Sequence, residues 1–130
     1  MSVPRNKLSV ITNPYQGKHL KLLTVCSGGV LRSPTAATLG TILCGFNTRS
    51  CGTEDYALIK ISQELVYWAD EIVCAEYYHQ GVVMSVLDNV YLPDEPRPLV
   101  RVLEIPDEYD YMDGELQRLI TAKFDEWKFR

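Results

Sequence analysis

The 130-residue chain has no apolar run approaching the length of a membrane span, so no integral membrane segment is expected. Its opening residues, among them Ser2, Pro4, Arg5, Asn6 and Lys7, lack the apolar core of a secretory signal, which points to the cytoplasm. Positive charge is scarce: 13 Lys and Arg stand against 17 Asp and Glu, a net charge of −4. That balance argues against general affinity for nucleic acid. Histidine is nearly absent, and His19 has no metal-ligating partner at suitable spacing; no metal and no cofactor are expected. The four cysteines, without a secretion signal, are expected to stay reduced. No internal repeat or linker divides the chain. Its length suits one domain over residues 1–130, with residues 1–20 as a lead-in.

What is present is an alternation of buried strands and helices. Leu8, Val10 and Ile11 suggest a short edge strand, and Asn13–Gly17 a turn. Lys21–Val25 reads as a buried strand, and Ser33-Pro34 opens a helix that Gly45 ends. A strand follows within Phe46–Gly52, then a connector over 54–61. Ser62 caps a second helix bearing Leu65, Val66, Trp68 and Ala69, and Glu71–Ala75 forms the next strand. Residues 76–86 predict a helix with Tyr77, Tyr78, Val82, Val83 and Val86 packing and His79 on its surface. Residues 90–92 are expected to be extended, and 93–98 too proline-rich for regular structure. Leu99–Ile105 gives the fourth strand, 106–112 an acidic loop with tyrosines, and Asp113 caps a helix over 114–129. The alternation implies an α/β fold in three layers, a four-stranded parallel sheet flanked by helices on both faces. Ligands in such folds sit beyond the carboxyl ends of the strands.

That end of the first strand is where Cys26 lies, followed by Ser27, Gly28, Gly29, Val30, Leu31, Arg32 and Ser33. A strand, a tight loop and a helix start direct free backbone N–H groups and a positive dipole end at one point, so an anion belongs there. Cys26 would have its thiolate stabilised there, and Arg32 offers a planar donor pair suited to a phosphate-like group. A lone cysteine at a strand end is ordinarily a small buried hydrophobe, and a Gly-Gly pair ordinarily a turn. The conjunction of Cys, five residues, Arg and Ser between strand and helix is what carries chemistry.

Val25–Pro34, with Thr35-Ala36-Ala37 after it, resembles the nucleophile loop of the low-molecular-weight protein tyrosine phosphatases. Ser50-Cys51-Gly52-Thr53 resembles that family's Ser-Ala-Gly-Thr, and Trp68-Ala69-Asp70-Glu71-Ile72-Val73 its Ala-Asp-x-Ile-x-Val strand. The likeness spans about residues 20–130. Gly29 stands where the family has asparagine, and Leu31 where it has a second cysteine, which leaves Cys26 without a protective disulfide partner in the loop.

The resemblance implies a cysteine-dependent phosphatase acting through a phosphocysteine intermediate, with protein phosphotyrosine as the expected substrate. Residues 27–33 would hold the phosphate, and Ser33 would donate to the Cys26 sulfur. The general acid is an aspartate in the family's Asp-Pro-Tyr-Tyr stretch. Here Pro106 precedes Asp107 instead of following it, so Asp107 is the candidate, with Glu108 and Asp110 open. Tyr109, Tyr111 and Tyr56 are candidates for the pocket wall, although Tyr109 and Tyr111 suit packing against the last helix equally.

Three other readings share the loop. An arsenate reductase would need a thiol relay, for which Cys44 and Cys51 are the available pair. A non-catalytic phosphate-binding module or a phosphocysteine carrier would need no acid. A phosphoinositide substrate would draw on Lys60, Arg97 or Arg101, since the loop itself has no lysine.

Overall fold

The computed structural model describes Val10, Ile11 and residues 20–130. Leu8, the 13–17 turn and His19 lie outside the described residues. Two residues, Val10–Ile11 (β1), pair antiparallel with Asn47–Gly52 (β3) at one edge of the sheet. The other strands are mutually parallel: Lys21–Cys26 (β2), β3, Glu71–Cys74 (β4) and Leu99–Val102 (β5), in the order β1-β3-β2-β4-β5. The strand feeding the cysteine loop is thus second in chain order and central in space.

Its composition accounts for that position. A strand with a neighbour on each side and helices on both faces has no wet side, and Leu22, Leu23 and Val25 are all buried. Alternation sends Leu22 towards a cluster with Leu39, Val73, Leu116, Ile120 and Phe124, under Arg32–Cys44 (α1) and Gly114–Glu126 (α4). Leu23 and Val25 face the other cluster, with Cys51, Val66, Ile72, Cys74, Val83 and Leu87, under Gln63–Trp68 (α2) and Tyr77–Val90 (α3). The result is the expected sandwich of helix, sheet and helix.

Helix ends follow local chemistry. Gly45 closes α1 in the left-handed conformation (φ 72°). Ser62 Oγ accepts from the Leu65 N–H of α2 (3.3 Å). Asp113 Oδ1 accepts from Glu115 N–H and Leu116 N–H of α4 (2.9 and 3.1 Å). That helix stops at Glu126, short of residue 129, because Lys128 turns to φ 60° and Phe129 N–H bonds back to the Phe124 carbonyl (2.8 Å). The turn folds the Phe129 ring against Phe124, with centroids 5.2 Å apart.

Three expectations change. Helix α3 runs on to Val90, so that residue is helical, not extended. Tyr77 and Tyr78 are exposed, whereas His79, expected at the surface, is buried. The helix is rotated so that its histidine, not its tyrosines, faces the sheet end. The last strand ends at Val102 because Glu104 takes φ 60°, although Leu103 N–H and Ile105 N–H still donate to the Cys74 and Ala75 carbonyls (2.8 and 3.0 Å). Among the described residues no helix is long and apolar enough to cross a membrane.

Candidate functional site

Beyond the carboxyl ends of β2, β4 and β5, one loop from each converges. The loop after β2 is held from outside by the connector that follows β3. Thr53 N–H, Glu54 N–H and Leu58 N–H donate in turn to the carbonyls of Cys26, Ser27 and Gly28 (2.9, 3.1 and 3.1 Å). With its carbonyl edge occupied, the loop turns the Gly29 N–H inward, where it donates to Cys26 Sγ at 3.2 Å. Gly29 sits at φ 71°, and a Cβ there would meet the Cys51 and Gly52 backbone at 3.0 Å. Glycine at this position therefore suits the close approach of β3 to the loop. Gly52 is tighter still: a Cβ would lie 2.3 Å from the Ser27 carbonyl oxygen.

Ser33 Oγ lies 3.1 Å from Cys26 Sγ and 3.2 Å from the Cys51 carbonyl oxygen. One hydroxyl hydrogen can serve either. It donates to the carbonyl while the sulfur carries its own proton, and can turn to the sulfur once that proton is gone.

Arg32 is 1% exposed, the largest fully buried side chain of the described residues. Nη1 donates to the Ile105 carbonyl (2.8 Å) and pairs with the Glu76 carboxylate. Nε is buried and has no hydrogen-bond partner among the described residues; the nearest acid, Asp107 Oδ1, is 3.8 Å away. A buried guanidinium with an unpaired N–H is a costly arrangement unless an oxyanion completes it. Arg32 and Cys26 both line one cavity of about 130 Å³, together with Gly28, Val30, Leu31, Tyr56 and Asp107.

The expected site residues thus fall into two groups. Cys26, Gly28, Val30, Leu31, Arg32, Tyr56 and Asp107 line the cavity, and Gly29 and Ser33 bond to the sulfur. Tyr56 is 74% exposed and forms a rim. Tyr109 packs against the α1/α4 cluster, and the Tyr111 hydroxyl lies 3.4 Å from Thr38 Oγ1. Neither tyrosine is among the lining residues, because Met112 N–H donates to Thr35 Oγ1 (2.9 Å) and pins their loop over α1. Glu108 and Asp110 likewise stand off the cavity. Cys44 packs beside the α1/α4 cluster and Cys51 in the α2/α3 cluster, on opposite faces of the sheet, and all four cysteines are free thiols.

Two residues of the site escaped the sequence reading. Glu76, at the carboxyl end of β4, anchors Arg32. His79, three residues on, accepts at Nδ1 from Glu76 N–H (3.0 Å) and meets Ser27 Oγ through Nε2 (2.9 Å). The spacing Glu-x-x-His at the start of α3, at the same sheet end as Cys26, was the available signal. Burial, and then the Arg32 charge, hold the His79 imidazole below its ordinary value. No group of three or more His, Cys, Asp or Glu among the described residues is arranged to hold a metal ion.

No protein-family model matches the chain, and no curated protein matches it in sequence. Solved structures do. The tyrosine phosphatase Wzb from Escherichia coli K30, in complex with phosphate, aligns at TM-score 0.64 and 19% identity over 84% of this chain and 96% of its own. The tyrosine phosphatase AmsI of Erwinia amylovora aligns at 0.60 and 17% identity, over 88% and 93%. A Cys-to-Ser mutant of the arginine phosphatase YwlE, with a phosphorylated active-site serine, aligns at 0.59 and 19% identity, over 84% and 96%. The chain has the fold of these low-molecular-weight phosphatases.

Proposed function

We propose that this chain is a cysteine-dependent phosphatase that hydrolyses phosphomonoesters through a phosphocysteine intermediate, with protein phosphotyrosine as its substrate class. One observation carries the reading: Cys26, Arg32 with its unpaired Nε, and Asp107 line the same small cavity. The fold it shares with tyrosine and arginine phosphatases supports it, as does the phosphorylated serine at the nucleophile position of the YwlE mutant.

The chemistry follows from the placement. Cys26 thiolate attacks phosphorus in line, so that the P–S bond forms as the ester P–O bond breaks. Arg32, braced by Glu76 and the Ile105 carbonyl, presents Nε to the equatorial oxygens beside the Gly29 end of the loop. Asp107 gives its proton to the leaving oxygen. In the second step the Asp107 carboxylate takes a proton from the attacking water, and Ser33 donates to the departing sulfur. Val30 and the Tyr56 ring offer apolar walls for an aromatic leaving group.

Initial rates with p-nitrophenyl phosphate test the reaction, and kcat/KM for phosphotyrosyl peptides against phosphoarginine and phosphoinositides tests the substrate. Cys26→Ser should abolish turnover and keep phosphate binding. Turnover that survives Cys26→Ser would remove the reading.

A further inference from the structure

The mechanism above makes no use of His79, yet this is the one described histidine, 1% exposed and held at both ring nitrogens. Its tautomer is fixed by its partners. The Glu76 N–H can only donate, so Nδ1 is the bare nitrogen and accepts it at 3.0 Å. The proton is then on Nε2, which donates to Ser27 Oγ at 2.9 Å. Ser27 is the first residue of the loop after the cysteine, and its carbonyl is already fixed by Glu54 N–H. Glu76 carries the carboxylate that anchors Arg32. The loop that carries Ser27 runs straight into Arg32 at the start of α1, while Glu76, the partner of Arg32, follows β4. The imidazole joins that loop to Glu76.

We infer that His79 is a positioning residue of the oxyanion cradle, whose neutral Nε2–H form braces Ser27 of the loop and, through the Glu76 backbone, the carboxylate that aims Arg32. The inference rests on reading the Cys26 loop as an oxyanion site. Protonating the ring would place an N–H on Nδ1 against the Glu76 N–H, donor facing donor, and the brace would open. The charged groups facing the ring are Arg32 from α1, Glu54 from the connector after β3, Glu76 at the start of its own helix and Asp107 from the loop after β5. Arg32 opposes the protonated form and the three carboxylates favour it, with burial the largest effect and on the side of Arg32. The ring is therefore neutral at neutral pH, and the brace is in place.

The brace makes an unusual demand on pH dependence. Added positive charge near an anion site ordinarily tightens binding, and so does the neutralisation of Asp107 or Glu54. If His79 acts through its hydrogen bonds, acidification must loosen binding instead. Sulfate separates the two effects because it keeps its double charge across the imidazole range. Its binding can be followed by calorimetry on the intact chain, together with its protection of Cys26 from iodoacetate. The tryptic peptide of residues 22–32 contains Cys26 and no other cysteine, so the alkylation is read at that residue.

Wild-type affinity for sulfate should fall as acidification protonates the imidazole, by up to about tenfold per pH unit below the titration point of the ring in the sulfate-free chain. Two substitutions divide the brace. In His79→Asn the side-chain oxygen can stand in for Nδ1 and keep the Glu76 bond, while the reach to Ser27 is lost. In His79→Gln the amide nitrogen can stand in for Nε2 and keep Ser27, while the Glu76 bond is lost. Each should weaken sulfate roughly tenfold at pH 7.5 and flatten the dependence on pH. Wild-type binding that tightens or stays level across the pH range in which NMR shows the imidazole taking up its proton would overturn the inference, and that measurement needs no variant to fold. So would wild-type affinity in either variant. A chain that binds sulfate in this manner but turns over no phosphomonoester would remove the phosphatase reading and leave His79 in its role. A chain that binds no sulfate at any pH would remove both.

Discussion

At the scale of single residues, the acid of the proposed reaction is the assignment most open to a direct test. Three carboxylates sit within residues 106–112, and of these only Asp107 lines the cavity, 3.8 Å from Arg32 Nε. A general acid must carry its proton when the ester oxygen leaves, so activity falls as rising pH strips it. Asp107→Asn should therefore lower kcat for phosphotyrosyl peptides by about 10²- to 10⁴-fold and flatten the alkaline limb of the pH–rate profile. The same substitution at Glu108 should leave that limb in place. An unchanged limb in Asp107→Asn would put the acid elsewhere. Cys26 and Arg32 were legible as candidates from their spacing at a strand end, whereas Asp107 was reached through the family resemblance, with Glu108 and Asp110 left open. Glu76 was not legible, because a single glutamate between a strand and a helix reads as a solvated cap until the buried guanidinium beside it is seen.

Between elements, the tightest contact at the site is backbone against backbone. The turn after β3 lies so close to the cysteine loop that its three N–H groups bond three consecutive loop carbonyls. A Cβ on Gly52 would overlap the Ser27 carbonyl oxygen, the Ala57 Cβ and the Gly28 carbonyl carbon, at 2.3, 2.7 and 2.8 Å. None of these belongs to a flexible side-chain end, so Gly52→Ala must push the connector off the loop. We expect it to cost about 1–3 kcal/mol, as overpacking does, and to lower catalysis much further than stability. Urea melts and kcat/KM for p-nitrophenyl phosphate measure the two losses; equal, small effects on both would show that the loop does not need this support. Sequence alone gave the strand and the glycine but not the contact, because the distance between two backbones depends on how β3 and the loop cross. Helix α3 shows the same limit. Its apolar positions fix that one side is buried, while the rotation that turns His79 inward and leaves Tyr77 and Tyr78 outside depends on the partners waiting at the sheet end.

Across the whole molecule, buried titratable groups set the pH range over which the fold holds. His79 lies below its ordinary value through burial and then the Arg32 charge, so in acid the unfolded chain takes up a proton that the folded chain refuses. Stability contributed by the neutral ring is complete above about pH 6.5 and is lost as the pH falls through the unfolded value. The alkaline side works in reverse. Burial pushes the Cys74 thiol up to about 12 from 9.0, and raises Cys51 well above the same value, with Cys26 and then Cys74 adding to the burial effect at Cys51. Above pH 9 the unfolded chain releases thiol protons that the folded chain keeps. Each buried thiol then removes up to about 1.4 kcal/mol per pH unit until its folded value is reached. Urea midpoints should accordingly form a plateau between about pH 6.5 and 9 and decline on both sides. Cys74→Ala should lessen the alkaline slope by the share of one thiol, and His79→Gln should lessen the acid slope, each leaving the opposite limb as it was. Such independence is expected because the thiols sit in the α2/α3 cluster under the sheet, while the imidazole sits at the sheet end among the loops. An alkaline limb indifferent to Cys74→Ala would mean that this thiol is not held protonated in the folded chain.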